Sequence, residues 1–135
     1  MKSRIVDLKK ISDCVYQYTG EIFIFDKNIR NLLIETANKS IKKRSRICLH
    51  KNTDSNTQNM IICLLKNQKF TKHKHPENKS ESYTVILGEL YVDIYEKHDK
   101  LSHTLTLNNL NTPYMHSGGC IHQPFTKDNI VIYHE

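Results

Sequence analysis

The sequence has no tryptophan and few residues that interrupt regular structure, with four glycines and three prolines among 135 residues. No apolar stretch approaches the roughly 18 residues that a transmembrane helix needs, so we expect no membrane span. Charged residues open the chain and no long apolar region follows them. We therefore expect no secretory signal peptide and a cytoplasmic location.

Cysteine is also scarce, with four residues and no C-x-x-C pair. Cys48 and Cys63 lie in apolar runs, where a free cysteine behaves as a small hydrophobic side chain. A cytosolic chain keeps its thiols reduced, so we expect four free thiols and no disulfide framework.

The charge balance is basic, with a formal net charge of +6 and 25% charged residues. The densest basic cluster comprises Lys39, Lys42, Lys43, Arg44 and Arg46. Cations are favourable at the C-terminal end of a helix, which is the simplest interpretation of this cluster. An alternative is that Lys43, Arg44 and Arg46 hold the phosphate of a ligand. We do not expect nucleic acid as a partner, because no zinc-finger, RNP or helix-turn-helix pattern is present.

The N-terminal third predicts one strand and one helix. The apolar run at 22–25 suits a short strand. Asp26 follows as a helix N-cap, because its carboxylate can accept hydrogen bonds from the first turn. Apolar residues then recur at helical spacing, and the helix should end between 40 and 43. The expected buried face carries Ile29, Leu32, Leu33, Thr36, Ala37 and Ile41.

Beyond residue 45 the pattern changes to short strands separated by turns. The expected strands are 46–49, 60–65, 70–74, 83–87, 90–95, 104–107, 121–125 and 130–133, with 108–119 irregular. Many short strands at regular spacing favour a sandwich or barrel. We expect a mainly β, jelly-roll barrel at 45–135, with the strand and helix of 1–44 packed on it as part of one structural domain.

One cluster of histidines and a carboxylate predicts a metal site. His73 and His75 alternate along a strand, so both imidazoles point to the same face. Glu81 begins the next strand and can reach the same ion. His122, which follows a glycine-containing turn, is the best third imidazole, and His116 on the other side of that turn is its rival. Nitrogen-rich ligation suits one divalent transition metal: Fe, Mn, Ni, Co or Zn.

These residues resemble the two motifs of the cupin superfamily. In the first motif His73, His75, Glu81 and Gly88 match, with six residues between Glu81 and Gly88. Asn67 stands where the motif begins with glycine, and asparagine also tolerates a left-handed turn.

Two features depart from the family pattern. The gap from His75 to Glu81 is one residue longer than usual, which leaves Glu77 as an alternative carboxylate. The second motif is matched by Gly119 and His122 but lacks its proline, and Thr126 replaces its asparagine.

Within that superfamily, residues 30–135 are most similar to the WbuC family of cupin-fold metalloproteins. This resemblance implies a role in bacterial O-antigen or surface-polysaccharide biosynthesis, with the metal held by His73, His75, Glu81 and His122. It also places His50 near the site, as a group that supports the ligands or binds substrate. Tyr83 and His116 are further candidates for that role.

The resemblance leaves two functions open. The chain is either a metal-dependent isomerase, epimerase or oxygenase acting on a sugar or sugar nucleotide, or a non-catalytic binding or regulatory module. It also implies a homodimer, with the run at 22–25 as the candidate edge.

Overall fold

The computed structural model describes residues 7–52, 54–55, 57–74 and 80–135. The chain divides into two compact units, one of Met1–Leu65 with Glu135 and one of Lys66–His134. This division does not test the predicted arrangement of 1–44 on 45–135, which stays a prediction.

The described residues of the first unit form one α-helix and four strands. In chain order these are β1 (Leu8–Lys10), β2 (Val15–Tyr18), α1 (Lys27–Lys39), β3 (Arg44–Cys48) and β4 (Met60–Leu64). The strands lie in the order β1-β2-β3-β4. The β2–β3 pair is parallel, while β1–β2 and β3–β4 are antiparallel. The buried strand expected at 60–65 is confirmed.

Helix α1 begins as its sequence predicts. The Asp26 carboxylate accepts a hydrogen bond from the Ile29 N–H at 3.0 Å, which caps the first turn. The helix ends at Ser40, whose N–H donates to the Thr36 carbonyl at 3.0 Å. Ile41 therefore lies beyond the helix and is 92% exposed, so its predicted burial was wrong. The buried face comprises Ile29, Leu33, Thr36 and Ala37.

The strand predicted at 22–25 does not form, and this is a correction. The N-terminal strands are β1 and β2, and 22–25 has no regular structure. Ile22 and Ile24 are exposed, while the Phe23 ring packs edge-to-face on Tyr18 with centroids 5.2 Å apart. Apolar content alone does not make a strand, because a strand also needs a neighbour for its backbone hydrogen bonds.

The described residues of the second unit form two sheets built from six strands. These are β5 (Glu81–Leu87), β6 (Glu89–Tyr95), β7 (Leu101–Asn108), β8 (Tyr114–Ser117), β9 (Ile121–Phe125) and β10 (Val131–His134). The orders are β10-β5-β8 in one sheet and β7-β6-β9 in the other, all antiparallel. The mainly β prediction is confirmed. The ladders of the described residues do not close into a continuous barrel.

Two features of this unit follow from its sequence. Apolar and polar residues alternate along 90–95, which predicts one buried face. Leu90 and Val92 are fully buried and Tyr91 is half-exposed as expected, but Asp93 is buried and Ile94 is half-exposed, so the alternation holds only over 90–92. Gly88 joins β5 to β6 at φ +83°, and a Cβ there would lie 2.1 Å from the Ile130 carbonyl oxygen. Only glycine therefore fits this turn without a backbone shift.

Two strand predictions need correction. Residues 108–119 were expected to be irregular, but β8 lies within them and pairs with β5. Conversely, 70–74 is not a strand. Its residue His73 forms a single bridge with His122 of β9, and Lys69, just before the segment, forms another with Phe125.

The predicted thiol state is confirmed for the described cysteines, all of which are free. Cys14, Cys48 and Cys63 are buried, while Cys120 is half-exposed. Burial raises the pKa of the Cys63 thiol to about 12.

Candidate metal centre

Backbone pairing brings His73 and His122 side by side. The N–H of each residue donates to the carbonyl of the other at 3.0 Å. Directly paired residues of an antiparallel bridge project on the same side. Their imidazole rings accordingly lie edge-to-face, with centroids 4.3 Å apart.

Glu81, the first residue of β5, brings a carboxylate between these two rings. Its Oε2 lies 3.5 Å from His73 Nε2 and its Oε1 lies 3.5 Å from His122 Nε2. The carboxylate and the His122 ring are buried, with side-chain exposures of 5% and 1%, while the His73 side chain is 34% exposed. The cluster therefore faces solvent on the side of His73.

Main-chain carbonyls fix which nitrogen of each ring can bind a metal. His73 Nδ1 lies 3.0 Å from the Thr71 carbonyl oxygen, and His122 Nδ1 lies 2.9 Å from the Cys120 carbonyl oxygen. A carbonyl only accepts, so both Nδ1 atoms carry hydrogen and both neutral rings keep a lone pair on Nε2. This is the usual arrangement around metal-binding histidines.

The distances fit a shared ion. The ligand atoms of His73, Glu81 and His122 all lie within 4.8 Å of one another. Ligands at roughly 2.0–2.2 Å from one metal, at tetrahedral or octahedral angles, are about 3.0–3.5 Å apart. Charge-assisted hydrogen bonds would be shorter, at about 2.7–2.9 Å. The observed 3.5 Å separations suit two imidazoles and a carboxylate around a divalent transition metal.

Three of the four predicted ligands are thus brought together, and the fourth is not described. His75 lies within residues 75–79, which fall outside the described part of the chain, as does the alternative carboxylate Glu77. The role of His75 as a ligand stays a prediction.

The structure places two of the three side chains proposed to support the site, Tyr83 and His116, differently. Tyr83 is 1% exposed, and its ring stands nearly perpendicular to the His122 ring at 6.0 Å. This contact supports the orientation of His122. His116 is exposed on β8, and its neighbour Ser117 is the residue that pairs with Glu81. Because side chains alternate along a strand, His116 points away from the Glu81 face.

His50 belongs to the first unit, where it has a structural contact. Its Nδ1 accepts a hydrogen bond from the Asn59 N–H at 3.0 Å. This bond joins the two ends of the segment between β3 and β4. A role of His50 in binding substrate stays a prediction.

The cations proposed to hold phosphate also lie in the first unit. Lys43 adopts a left-handed conformation and its Nζ donates to the Asn38 carbonyl at 2.9 Å, as expected of a cation at a helix end. Arg44 begins β3, and Arg46 is exposed on the same strand. Phosphate binding by Lys43, Arg44 and Arg46 stays a prediction.

The carbonyl groups that orient the rings were missed by the sequence analysis. Each lies two residues before its histidine: Thr71 before His73 and Cys120 before His122. Any residue supplies a carbonyl, so side-chain identity carries no signal for this role.

Solved structures of cupin domains support the cupin fold, and one family model matches the chain. The model of a family described as a domain of unknown function, DUF6016, matches residues 25–107. No curated protein matches the sequence.

No helix in the described residues has the length and apolar character to cross a membrane.

Several solved structures are similar. One is the Cupin_2 domain of an XRE family transcriptional regulator from Enterobacter cloacae, with 18% identity and a TM-score of 0.52, covering 67% of this chain and 90% of that one. A cupin-2 domain protein from Shewanella frigidimarina has 18% identity and a TM-score of 0.52, covering 83% of this chain and 93% of that one. An oxalate oxidase in complex with the substrate analogue glycolate has 17% identity and a TM-score of 0.54, covering 71% of this chain. The chain spans about half of that oxidase, 51%. At these identities the likeness shows the fold alone.

Proposed function

We propose that this chain binds one divalent transition metal through His73, His75, Glu81 and His122. The chain belongs to the family described as a domain of unknown function, DUF6016. The observation that supports the proposed metal site most is the convergence of two Nε2 atoms on one buried carboxylate, each at 3.5 Å. Both rings are held in the tautomer whose Nε2 bears the lone pair that would coordinate the metal.

The chain's own residues prepare this site in two ways. Hydrogen bonds from Nδ1 to the Thr71 and Cys120 carbonyls hold each ring's proton away from the metal position. Burial of Glu81 and His122 excludes water from the inner side, while the partial exposure of His73 leaves access from solvent. A bound ion would supply Lewis acidity for polarising a hydroxyl or carbonyl group.

The proposed ligand is a small molecule, namely a sugar or sugar-nucleotide intermediate of bacterial surface-polysaccharide or O-antigen biosynthesis in the cytoplasm. The sequence resemblance to the WbuC family supports this assignment. The reaction classes that suit a metal with open positions are isomerisation, epimerisation and oxygenation. An oxalate oxidase has a similar fold, which supports the enzymatic alternative.

The second candidate is a regulatory module that binds metal and a small ligand without changing it. Its support is the Cupin_2 domain that forms part of a transcriptional regulator. Incubation of the metal-loaded chain with sugar nucleotides, followed by NMR, separates the two. Conversion of a sugar favours the enzyme, while binding without conversion favours the module.

Metal content by elemental mass spectrometry tests the proposal itself. We expect about one equivalent of a transition metal in the purified chain and a loss of it in His73→Ala, a ligand exposed enough for the variant to fold. His103→Ala is the matched control, since His103 is an exposed histidine on β7. Absence of metal in the unsubstituted chain, even after refolding with Fe(II), Mn, Ni and Zn, would contradict the proposal.

A further inference from the structure

The proposed ligand His73 lies on a segment that has no core of its own. The described residues 67–73, called the His73 segment, form neither strand nor helix and meet β9 through two single bridges. Every residue of the segment is exposed or half-exposed. Parts of a fold with few buried apolar contacts open most easily from the native state. The attachment of this segment to β9 therefore depends on its individual polar contacts.

The first attachment is made by Thr126, the buried residue that follows β9. Its hydroxyl oxygen accepts a hydrogen bond from the Gln68 N–H at 2.9 Å, and the hydroxyl donates to the Gln68 carbonyl at 3.5 Å. The Thr126 N–H donates to the same carbonyl at 2.8 Å, and the Asn67 N–H donates to the Lys127 carbonyl at 2.8 Å. Thr126 thus fixes the start of the segment through both backbone polar groups of Gln68.

The second attachment is made by Gln123, which follows His122 on β9. Its Nε2 donates to the Phe70 carbonyl at 2.7 Å, and its Oε1 accepts from the Tyr95 hydroxyl at 3.2 Å. The Phe70 N–H also donates to the Pro124 carbonyl at 3.0 Å. Side chains alternate along a strand, so Gln123 lies on the face opposite the His122 ring. Gln123 thus holds the middle of the segment from outside the metal centre.

Two lysines of the segment lie over aromatic rings. Lys69 Nζ is 5.3 Å from the centroid of the Phe125 ring, and Lys72 Nζ is 3.9 Å from the centroid of the Tyr95 ring. A lysine side chain is long and flexible, so these contacts fix the backbone less closely than the hydrogen bonds do. The hydrogen bonds therefore set where the backbone of the segment lies.

We propose that Thr126 and Gln123 are positioning residues, which hold the segment on β9 and so keep His73 at the metal centre. This role rests on the proposed function, because it requires His73 to be a ligand. The apparent dissociation constant of a metal is its intrinsic constant divided by the fraction of chains in the binding-competent state. Contacts that raise the attached fraction therefore strengthen metal binding, although neither side chain is a ligand.

The coupling between attachment and metal acts in both directions. An ion shared by His73, Glu81 and His122 would also tie the segment to β5 and β9. By thermodynamic linkage, it would stabilise the attached state by the same factor by which attachment strengthens metal binding. Metal should therefore slow hydrogen exchange at the Gln68 and Phe70 amides, whose N–H groups are hydrogen-bonded in the attached state.

Titration calorimetry with Zn²⁺ on the metal-free chain tests this role. Thr126→Val keeps the shape of the side chain without the hydroxyl and should weaken Zn²⁺ binding about tenfold, whereas Thr126→Ser should restore it. Gln123→Ala should also weaken binding, and it carries the test if Thr126→Val fails to fold. Ser45→Ala is the matched control, since it removes another buried hydrogen bond, to the Leu33 carbonyl at 2.6 Å. It should lower the free energy of unfolding without changing the Zn²⁺ affinity.

Hydrogen exchange measured by NMR is the second readout. We expect faster exchange at the Phe70 amide in metal-free Thr126→Val and Gln123→Ala than in the unsubstituted chain, and slower exchange when Zn²⁺ is added. Unchanged Zn²⁺ affinity in both variants, an equal loss in Ser45→Ala, or an exchange rate at Phe70 that Zn²⁺ leaves unaltered would each overturn the positioning role. An unsubstituted chain that binds no Zn²⁺ would instead contradict the metal centre itself, and the positioning role would fall with it.

Discussion

The stabilisation of the fold by metal should depend on the charge of Glu81. Glu81→Gln keeps the size of the side chain but removes the only described carboxylate of the site, whose two oxygens lie 3.5 Å from the two ring nitrogens. A metal at about 1,000 times its dissociation constant stabilises the folded state by about 4.1 kcal/mol. With an unfolding entropy of about 2.1 cal/mol/K per residue, 135 residues give about 0.28 kcal/mol/K. The melting temperature of the unsubstituted chain should therefore rise by about 15 °C.

Loss of the anionic ligand should weaken metal binding by at least about 100-fold, which is about 2.7 kcal/mol. The metal-induced shift in Glu81→Gln should thus fall to about 5 °C or less at the same metal concentration. Differential scanning calorimetry with and without metal measures both shifts. Glu35→Gln is the control, since Glu35 is exposed on α1 and pairs only with Lys39 in the described contacts. An undiminished shift in Glu81→Gln would refute the role of this carboxylate.

Three further results are expected. Gly88→Ala should destabilise the fold by about 2 kcal/mol or more in denaturant unfolding, since a Cβ would lie 2.1 Å from the Ile130 carbonyl at a left-handed φ; an unchanged midpoint would contradict this. Ellman's reagent at pH 8 should modify half-exposed Cys120 first and leave Cys63 unmodified in the folded chain, because burial raises the pKa of the Cys63 thiol to about 12. Burial lowers the pKa of His134, so the unfolded state binds more protons than the folded state and the free energy of unfolding should decrease as the pH falls below about 6.5. His134→Gln should reduce the slope of that free energy against pH in unfolding titrations. An identical slope in the variant would contradict the role of His134.

Local patterns predicted the parts of the fold that depend on local physics. The Asp26 cap, the start of α1 and the burial of Leu90 and Val92 in β6 each follow from residues close in sequence. Asn67, which stands where the motif begins with glycine, adopts the left-handed conformation that asparagine tolerates, with a φ of 57°. By contrast, 22–25 was misassigned because strand formation depends on a partner elsewhere in the chain. Strand β8 was missed because its four residues are held by pairing with distant β5.

The sequence likewise predicts some parts of the candidate site and not others. The histidine spacing and Glu81 singled out the three groups that the structure brings together, because side-chain identity carries the chemistry of ligation. The carbonyls of Thr71 and Cys120 could not be predicted, since their role comes from backbone geometry alone. Pairing of His73 with His122 across distant segments likewise has no local sequence signal.

Anomalous diffraction from crystals grown with a transition metal tests the central claim most directly. Data collected on either side of the absorption edge of that metal locate the ion without reference to activity. We predict one peak about 2.0–2.3 Å from His73 Nε2, His122 Nε2 and a Glu81 carboxylate oxygen. A peak elsewhere, or no peak at this position at saturating metal, would contradict the account.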